Sequence, residues 1–375
     1  MHVTLHLTNG CNMACDYCYV ERRDVRAMSP ATARAAVDLA AGLTPQHSST
    51  GIIFFGGEPL LHKELIEETV AYAAARETAV RGFHFKVTTN GLLLDDAFVD
   101  FARRYHVFLA LSMDGGPAAH DRHRRDADGK GTYERVCESA RRLLRSNPYA
   151  PVMMTVNPYT APLYADSVRH LYDLGFRYLI CSLNVAARWQ DEDMAVLQQQ
   201  YRRLAQFYYE LTMAEEKFYL SPFEVKLSSH IHSKTYCRER CELGKRQISV
   251  GPEGLLYPCV QFVDDPAFAI GSVGAGIDET RRDELYRRNE AEKPECADCA
   301  IRLRCNHFCG CMNRQGTGRI DAVPAVQCAH ERLLMPIADE LAVRLYRKRS
   351  AMFLQKQYND FFPLVSMVED HTASR

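Results

Sequence analysis

Short apolar runs alternate with amphipathic stretches six times before residue 220, and this alternation limits the chain to a mostly parallel sheet flanked by helices. The strand-like runs are 3–7, 52–55, 85–89, 108–112, 152–156 and 178–183; the helical patterns that follow them are 31–43, 63–81, 95–105, 133–145, 163–174 and 191–216. Ser29-Pro30, Thr132 and Asp191 supply helix-start signals at the right places. Six such units predict an α/β fold built on a partial (β/α)6 TIM-like barrel. Functional groups then belong on the loops at the carboxyl ends of the strands.

A length of 375 residues accommodates that barrel and a smaller attachment. The hydrophobic share of 47% fits a sizeable core, and a net charge of -1 provides no field for nucleic acid or a membrane surface. The chain begins without a charged, apolar signal sequence and contains no run of 18 apolar residues, so a cytoplasmic location is expected. In a reducing compartment, fourteen cysteines gathered mainly toward the two ends of the chain point to metal rather than to disulfides.

The first strand runs directly into Cys11-Asn12-Met13-Ala14-Cys15-Asp16-Tyr17-Cys18. Three thiolates spaced C-x3-C-x2-C can hold three corners of a 4Fe-4S cube and leave the fourth iron open to a small chelating molecule. The second strand ends in Gly56-Gly57-Glu58-Pro59, where glycines allow close backbone approach and a carboxylate can accept from an ammonium group. The third ends in the turn Thr89-Asn90-Gly91. The fourth ends in Leu111-Ser112-Met113-Asp114-Gly115, with Arg124 a little further on; a hydroxyl can hold a sugar or amino acid, and a guanidinium can grip a carboxylate with two bonds.

From Cys237 the composition changes. Cys237-x3-Cys241 is followed by x12 to Gly254, x4 to Cys259, and then Cys296-x2-Cys299-x5-Cys305-x3-Cys309 and Cys328. Eight thiolates suffice for two further four-cysteine clusters. Boundaries are expected near 225 and 330, giving a barrel over 1–225, a cysteine-rich domain over 226–330 and a carboxy-terminal helix and tail over 331–375. The apolar spacing of Leu333, Leu334, Ile337, Leu341 and Leu345 predicts a packing helix over 331–347. The last residues, near 371–375, read as a frayed end.

At these positions the sequence resembles the radical S-adenosylmethionine (SAM) superfamily, with Tyr17 as the aromatic of its C-x3-C-x-aromatic-C motif. From Cys241 onward it resembles the seven-cysteine SPASM pattern. The resemblance implies three 4Fe-4S clusters and SAM as cofactors. Cys11, Cys15 and Cys18 would hold the SAM-binding cluster, with Tyr17, Gly56, Gly57, Glu58, Asn90, Ser112 and Arg124 around SAM. It implies a first auxiliary cluster on Cys241, Cys259 and Cys309, with Cys237 fourth, and a second on Cys296, Cys299, Cys305 and Cys328. Such clusters can take the electron left when a substrate radical forms its new bond, which implies a net oxidation.

The run from Cys241 to Val263 looks most like maturases that install thioether or carbon–carbon cross-links in ribosomal precursor peptides. The implied partners are a precursor peptide, a reductant such as flavodoxin or ferredoxin, and, with ten residues before Cys11, a separate leader-binding protein if the barrel or SPASM region does not read the leader. Anaerobic sulfatase-maturing enzymes are the runner-up. They carry an aspartate just after the cysteine matching Cys259, where this chain has Val260, and Asp264 and Asp265 follow a few residues on. A non-catalytic iron–sulfur scaffold or electron carrier is the reading from another class. Cys137 and Cys181 are expected as buried thiols, Cys311 as a spare thiol pointing away from Cys309, and His307 as a supporting or surface residue. His2, His6, His230 and His232 have no ligand-like company.

Overall fold

The computed structural model describes residues 1–20, 25–78, 80–232 and 242–373, so Cys237 and Cys241 lie outside the described residues. Strands β1 (His2–His6), β2 (Ser48–Phe55), β3 (Arg81–Thr89), β4 (Val107–Ser112), β5 (Pro151–Val156) and β6 (Tyr178–Leu183) lie side by side in that order, all parallel. Helices α1 (Pro30–Leu43), α2 (Lys63–Ala74), α3 (Asp96–Arg104), α4 (Pro117–His123), α5 (Tyr133–Ser146), α6 (Tyr164–Leu174) and α7 (Asp191–Met213) form the crossovers. The strands carry fully buried Val3, Leu5, Ile52, Phe54, Val87, Leu111 and Val152 because helices cover the sheet.

Two predicted limits move. β2 begins at Ser48 rather than 52, because the polar Ser48, Ser49 and Thr50 pair with Arg81, Gly82 and Phe83 of β3. Ladder pairing there outweighs weak local propensity. β3 in turn takes residues from 81, so α2 stops at Ala74 instead of 81. Helix starts follow local chemistry where a side chain caps them: Ser29 Oγ accepts from Thr32 N, and Asp95 from Phe98 N. α5 differs, for Asp121 Oδ1 accepts from both Thr132 N and Tyr133 N at 2.8 Å, freeing the Thr132 hydroxyl.

Beyond the six units, β7 (Tyr219–Leu220) pairs parallel with β6, and α8 (Ser221–His232) follows. The cysteine-rich segment then returns to the sheet: β8 (Gln247–Val250) lies parallel to β1, His2 opposite Gln247, and β9 (Leu256–Tyr257) runs antiparallel beside β8. The order is β7-β6-β5-β4-β3-β2-β1-β8-β9, with no pairing between the two edges among the described residues. The boundary expected near 225 falls inside α8, and the one near 330 falls inside the long α11 described next.

α9 (Glu279–Glu290) and α10 (Gly310–Thr317) precede α11 (Ala325–Lys348), which packs on α7 and α8. Buried Leu334, Ile337, Leu341 and Leu345 face that contact. Each is worth roughly 1.5–3 kcal/mol of apolar burial. The tail is not frayed up to Ala373. α12 (Ala351–Tyr358) and α13 (Phe362–Ala373) lie beside the amino ends of β4–β7, fastened by Lys356 to Glu224 at 2.5 Å and by Lys217 to Asp370. Among the described residues no helix is long and apolar enough to cross a membrane.

Candidate functional site

The loop after β1 carries Cys11, Cys15 and Cys18, and its shape is imposed by two neighbours. On one side the segment after α4 holds it by backbone: Ala14 N donates to Arg125 O at 2.6 Å and Asp16 N to His123 O at 3.3 Å. On the other side the loop after β2 presses against it, Gly57 N donating to Thr8 O at 2.7 Å and Glu58 N to Gly10 O at 2.9 Å. A Cβ on Gly56 would stand 2.2 Å from Thr8 O, and one on Gly57 2.1 Å from Gly10 O. The two glycines permit a backbone-to-backbone contact with the cysteine loop, on the wall of the same cavity.

Glu58 is likewise turned inward. Its Oε1 accepts from Leu60 N at 3.0 Å and from the Thr89 hydroxyl at 2.7 Å, and its Oε2 from Asn90 N at 2.7 Å. Burial pushes its pKa up, against the pull of these donors. The carboxylate thus ties the ends of β2 and β3 together at the cavity wall. Asn90 passes that order on: its Nδ2 donates to Asn12 Oδ1 at 2.8 Å and lies 3.6 Å from Cys11 Sγ.

Asp114, after β4, is the hub of the third wall. Its Oδ1 accepts from Thr155 N at 2.9 Å, and its Oδ2 from the Tyr17 hydroxyl at 2.5 Å while lying 3.0 Å from Arg124 Nε. Buried His120 supports it: Nδ1 accepts from Asp114 N at 3.4 Å, Nε2 lies 3.0 Å from Thr132 Oγ1, and that hydroxyl donates to Arg124 O at 2.8 Å. Burial, with Arg124 adding, pulls the His120 pKa down to about 4, so the ring is neutral and fits this donor–acceptor chain. Asp114 stands in the sequence pattern without an assigned role. Nothing local shows that Asp114 reaches Tyr17 and Thr155.

Cys11, Cys15, Cys18, Tyr17, Gly56, Gly57, Glu58, Asn90, Ser112 and Arg124 all line one cavity of about 690 Å³. Burial pushes the Cys15 thiol up to about 11; Arg124 opposes this, while Cys18, Asp114 and Cys11 reinforce it. A bound cation would reverse that preference, and a donor set of three adjacent thiols suits iron–sulfur ligation. Among the described residues no group of three or more His, Cys, Asp or Glu is arranged around a single ion. A cube is bonded at separate corners and asks for no such point.

The far wall comes from residues distant in sequence. Tyr201 of α7 bonds His330 Nε2 of α11 at 2.7 Å, and Lys226 of α8 pairs with Glu331 at 2.5 Å, all four lining the cavity. Cys181 lines it too, not wholly buried, its thiol pushed up to about 12 by burial. Cys137 is buried as expected, and His230 pairs with Asp339 at 3.0 Å.

Of the second auxiliary set, Cys296, Cys299 and Cys328 are electrostatic neighbours and Cys305 is buried in the same segment, with buried His307 bonded to Cys305 O. Of the first set, Cys259 and Cys309 are together, and Cys311 is with them: its Sγ lies 3.2 Å from Cys309 Sγ and it contacts Cys259. The expectation that Cys311 points away is overturned. Cys309 is the extended N-cap of α10 (φ -75°, ψ 92°) and Cys311 sits in the first turn, which brings the two side chains to one side. Cys309 and Cys311 line the same cavity as the amino-terminal triplet.

Residues 5–174, β2 to β5 and the cysteine loop among them, match the family model of the Radical SAM superfamily. Over 341 residues the chain is 23% identical to a serine-type anaerobic sulfatase-maturating enzyme of Klebsiella aerogenes, covering 83% of this chain and 80% of that one. An uncharacterized Synechocystis protein is 23% identical over 236 residues, and the chain spans only 58% of its length. The fold is shared with native anSMEcpe with bound AdoMet (TM-score 0.79, 18% identity, 92% of this chain and 99% of that one). It is also shared with Streptococcus suis SuiB bound to precursor peptide SuiA (TM-score 0.62, 13% identity, 87% and 75%).

Proposed function

We propose that the chain is a radical SAM peptide maturase that removes a hydrogen atom from a side chain or α carbon of a ribosomal peptide and closes an oxidative thioether or carbon–carbon cross-link. The observation that carries this reading is the single cavity lined by Cys11, Cys15 and Cys18 on one side and by Cys309 and Cys311 on another. SAM bound at a 4Fe-4S cluster on the triplet supplies, on reductive cleavage, the carbon radical that takes the hydrogen. A substrate held between the two sulfur sites can give up that hydrogen at one end and its surplus electron toward the other, while a proton leaves to a base or solvent.

The chain's own residues orient and enclose. Arg124, paired with Asp114 through Nε, lines the cavity, which supports a role in gripping a carboxylate. Ser112 offers a hydroxyl on the same wall. A cavity of about 690 Å³ has the size of a small-molecule site, roughly 300–1,000 Å³.

Sulfatase maturation is the second reading, favoured by the sulfatase-maturating relative that matches 83% of the chain. Against it, the turn after Cys259 brings no carboxylate to the cavity. Val260 packs on the core, Asp264 pairs with Arg26 at 2.7 Å, and Asp265 pairs with Arg314. Neither aspartate lines the cavity, where Gln261 is the residue of this turn that does. A base must reach its proton directly or through one water.

The test is anaerobic reconstitution, reduction, and assay with peptides encoded beside the gene. Formation of 5′-deoxyadenosine with a two-hydrogen mass loss from such a peptide supports cross-linking. Formylglycine in a sulfatase peptide, with none lost from the encoded peptides, would transfer the assignment to the second reading. Absence of 5′-deoxyadenosine would leave only an iron–sulfur scaffold.

A further inference from the structure

We propose that the amino end of the barrel holds a second ligand site, distinct from the cysteine-lined cavity, and that it takes a small amphiphilic carboxylate: one anionic head on an aliphatic or aromatic body. The site is independent of the reaction carried out at the other end of the barrel.

Alternate residues of a strand face the same way, so single faces of β3, β4 and β6 can be followed from the cysteine-lined cavity toward the amino ends of the strands. Thr88, Ser112 and Ser182 line that cavity. Two or four residues earlier on the same faces, Lys86, Phe108 and Tyr178 line a second cavity of about 920 Å³. Ile180 lies between them and borders both. A barrel interior is ordinarily filled by layers of branched apolar side chains. Here the floor is hollow, and Phe108, one of its apolar residues, is left 45% exposed. Rings make up much of the wall: Tyr149 and Tyr219 lie with their centroids 6.1 and 5.8 Å from that of Tyr178. A hollow of this size lined by apolar and aromatic groups suits an apolar body.

Charge decides what the body carries. Around the cavity Lys356 pairs with Glu224 at 2.5 Å, Lys217 with Asp370, and Arg103 with Asp100 at 3.1 Å. Lys86 differs: among the described residues no carboxylate pairs with it, and burial pulls its pKa down with no neighbouring anion to oppose the shift. Lysines are seldom withdrawn from water without a partner. One unmatched cation calls for one anionic group, and a carboxylate at Lys86 Nζ supplies it through a charge-assisted hydrogen bond. The acidic groups of the wall do not repel such a ligand strongly, because Glu224 and Asp370 are already matched by lysines.

The test is calorimetric titration of the full-length protein, reconstituted anaerobically, with octanoate and 2-naphthoate, each beside the alcohol of the same carbon body, octanol and 2-naphthol. At least one acid is expected to bind with one equivalent per chain and about tenfold more tightly than its alcohol, and the tighter acid identifies the body as aliphatic or aromatic. This comparison uses the unsubstituted chain and so does not depend on how a variant folds. Equal affinity of acid and alcohol overturns the proposal, as does the absence of binding by either acid up to about 1 mM.

Two variants locate the site. Lys86→Met should lower the affinity of the acid to that of its alcohol and leave the alcohol unchanged, and Lys86→Arg should restore the acid. Ser146→Trp, which fills the cavity from α5, should abolish binding of both. Iron content and melting temperature are expected to stay at wild-type values in all three. Acid binding that survives in Lys86→Met or in Ser146→Trp places the ligand elsewhere and overturns the assignment.

Discussion

Asp114 and Arg124 meet as a buried ion pair, Oδ2 to Nε at 3.0 Å, and the same carboxylate oxygen receives the Tyr17 hydroxyl from the cysteine loop. The pair thus joins the end of β4, the turn after α4 and the cysteine loop at a single oxygen. Asp114→Asn should leave Arg124 buried without its counter-charge, a loss of about 3–5 kcal/mol. Urea unfolding should show this, and SAM affinity measured by calorimetry should fall with it. Wild-type affinity and stability in this variant would refute the arrangement.

Gly57→Ala should act on the cysteine loop rather than on ligand contacts, because its Cβ would meet Gly10 O at 2.1 Å. Crowding of this kind costs about 1–3 kcal/mol. The expected readout is weaker iron retention at the amino-terminal cluster, assayed in a variant lacking the carboxy-terminal cysteine ligands, before any change in SAM binding to the loaded protein.

Glu58 carries a pH signature. Its folded pKa lies above the ordinary value, chiefly through burial, so its contribution is present below the unfolded pKa and is lost as pH rises through the folded one. Glu58→Gln should remove that slope while leaving one of three donors without its partner, at about 1–3 kcal/mol. Stability of this variant, followed from pH 4 upward, should be flatter than wild type and lower below the unfolded pKa.

Three buried histidines should make the fold acid-labile. Burial pulls His6 down to about 3 and His330 to about 4, and burial with Arg124 pulls His120 to about 4. Between these values and the ordinary 6.5 the unfolded chain binds protons that the folded chain refuses, so stability rises with pH across that window and falls on acidification. The loss between pH 7 and pH 5 should be about 2 kcal/mol per histidine, and His120→Gln should reduce the total by that amount. Urea unfolding at the two pH values checks it; an unchanged pH dependence would contradict the buried neutral ring.

Asp264→Asn and Asp265→Asn should lower stability by no more than about 1 kcal/mol each, as partly exposed ion pairs do. Both should keep 5′-deoxyadenosine formation and peptide oxidation within about twofold of wild type. A thousandfold loss of product with intact SAM cleavage would instead mark one of them as the proton acceptor.

The sequence by itself determined the six strand–helix units, the position of the Cys11–Cys18 loop at a strand's carboxyl end, and the two regions in which most cysteines gather. These are encoded locally, in apolar period, caps and spacing, over windows of a dozen residues. Tertiary structure decided the rest. β8 lies beside β1 because a ladder needs a partner some 240 residues away; Glu58 bonds Thr89 and Asn90 across two strand ends on the cavity wall; Lys226 meets Glu331 across two helices. Cys311 turned toward Cys309 because a helix begins between them, a change of backbone direction that cysteine spacing does not record. Spacing fixes which residues are near in the chain, and only packing fixes which way a side chain faces.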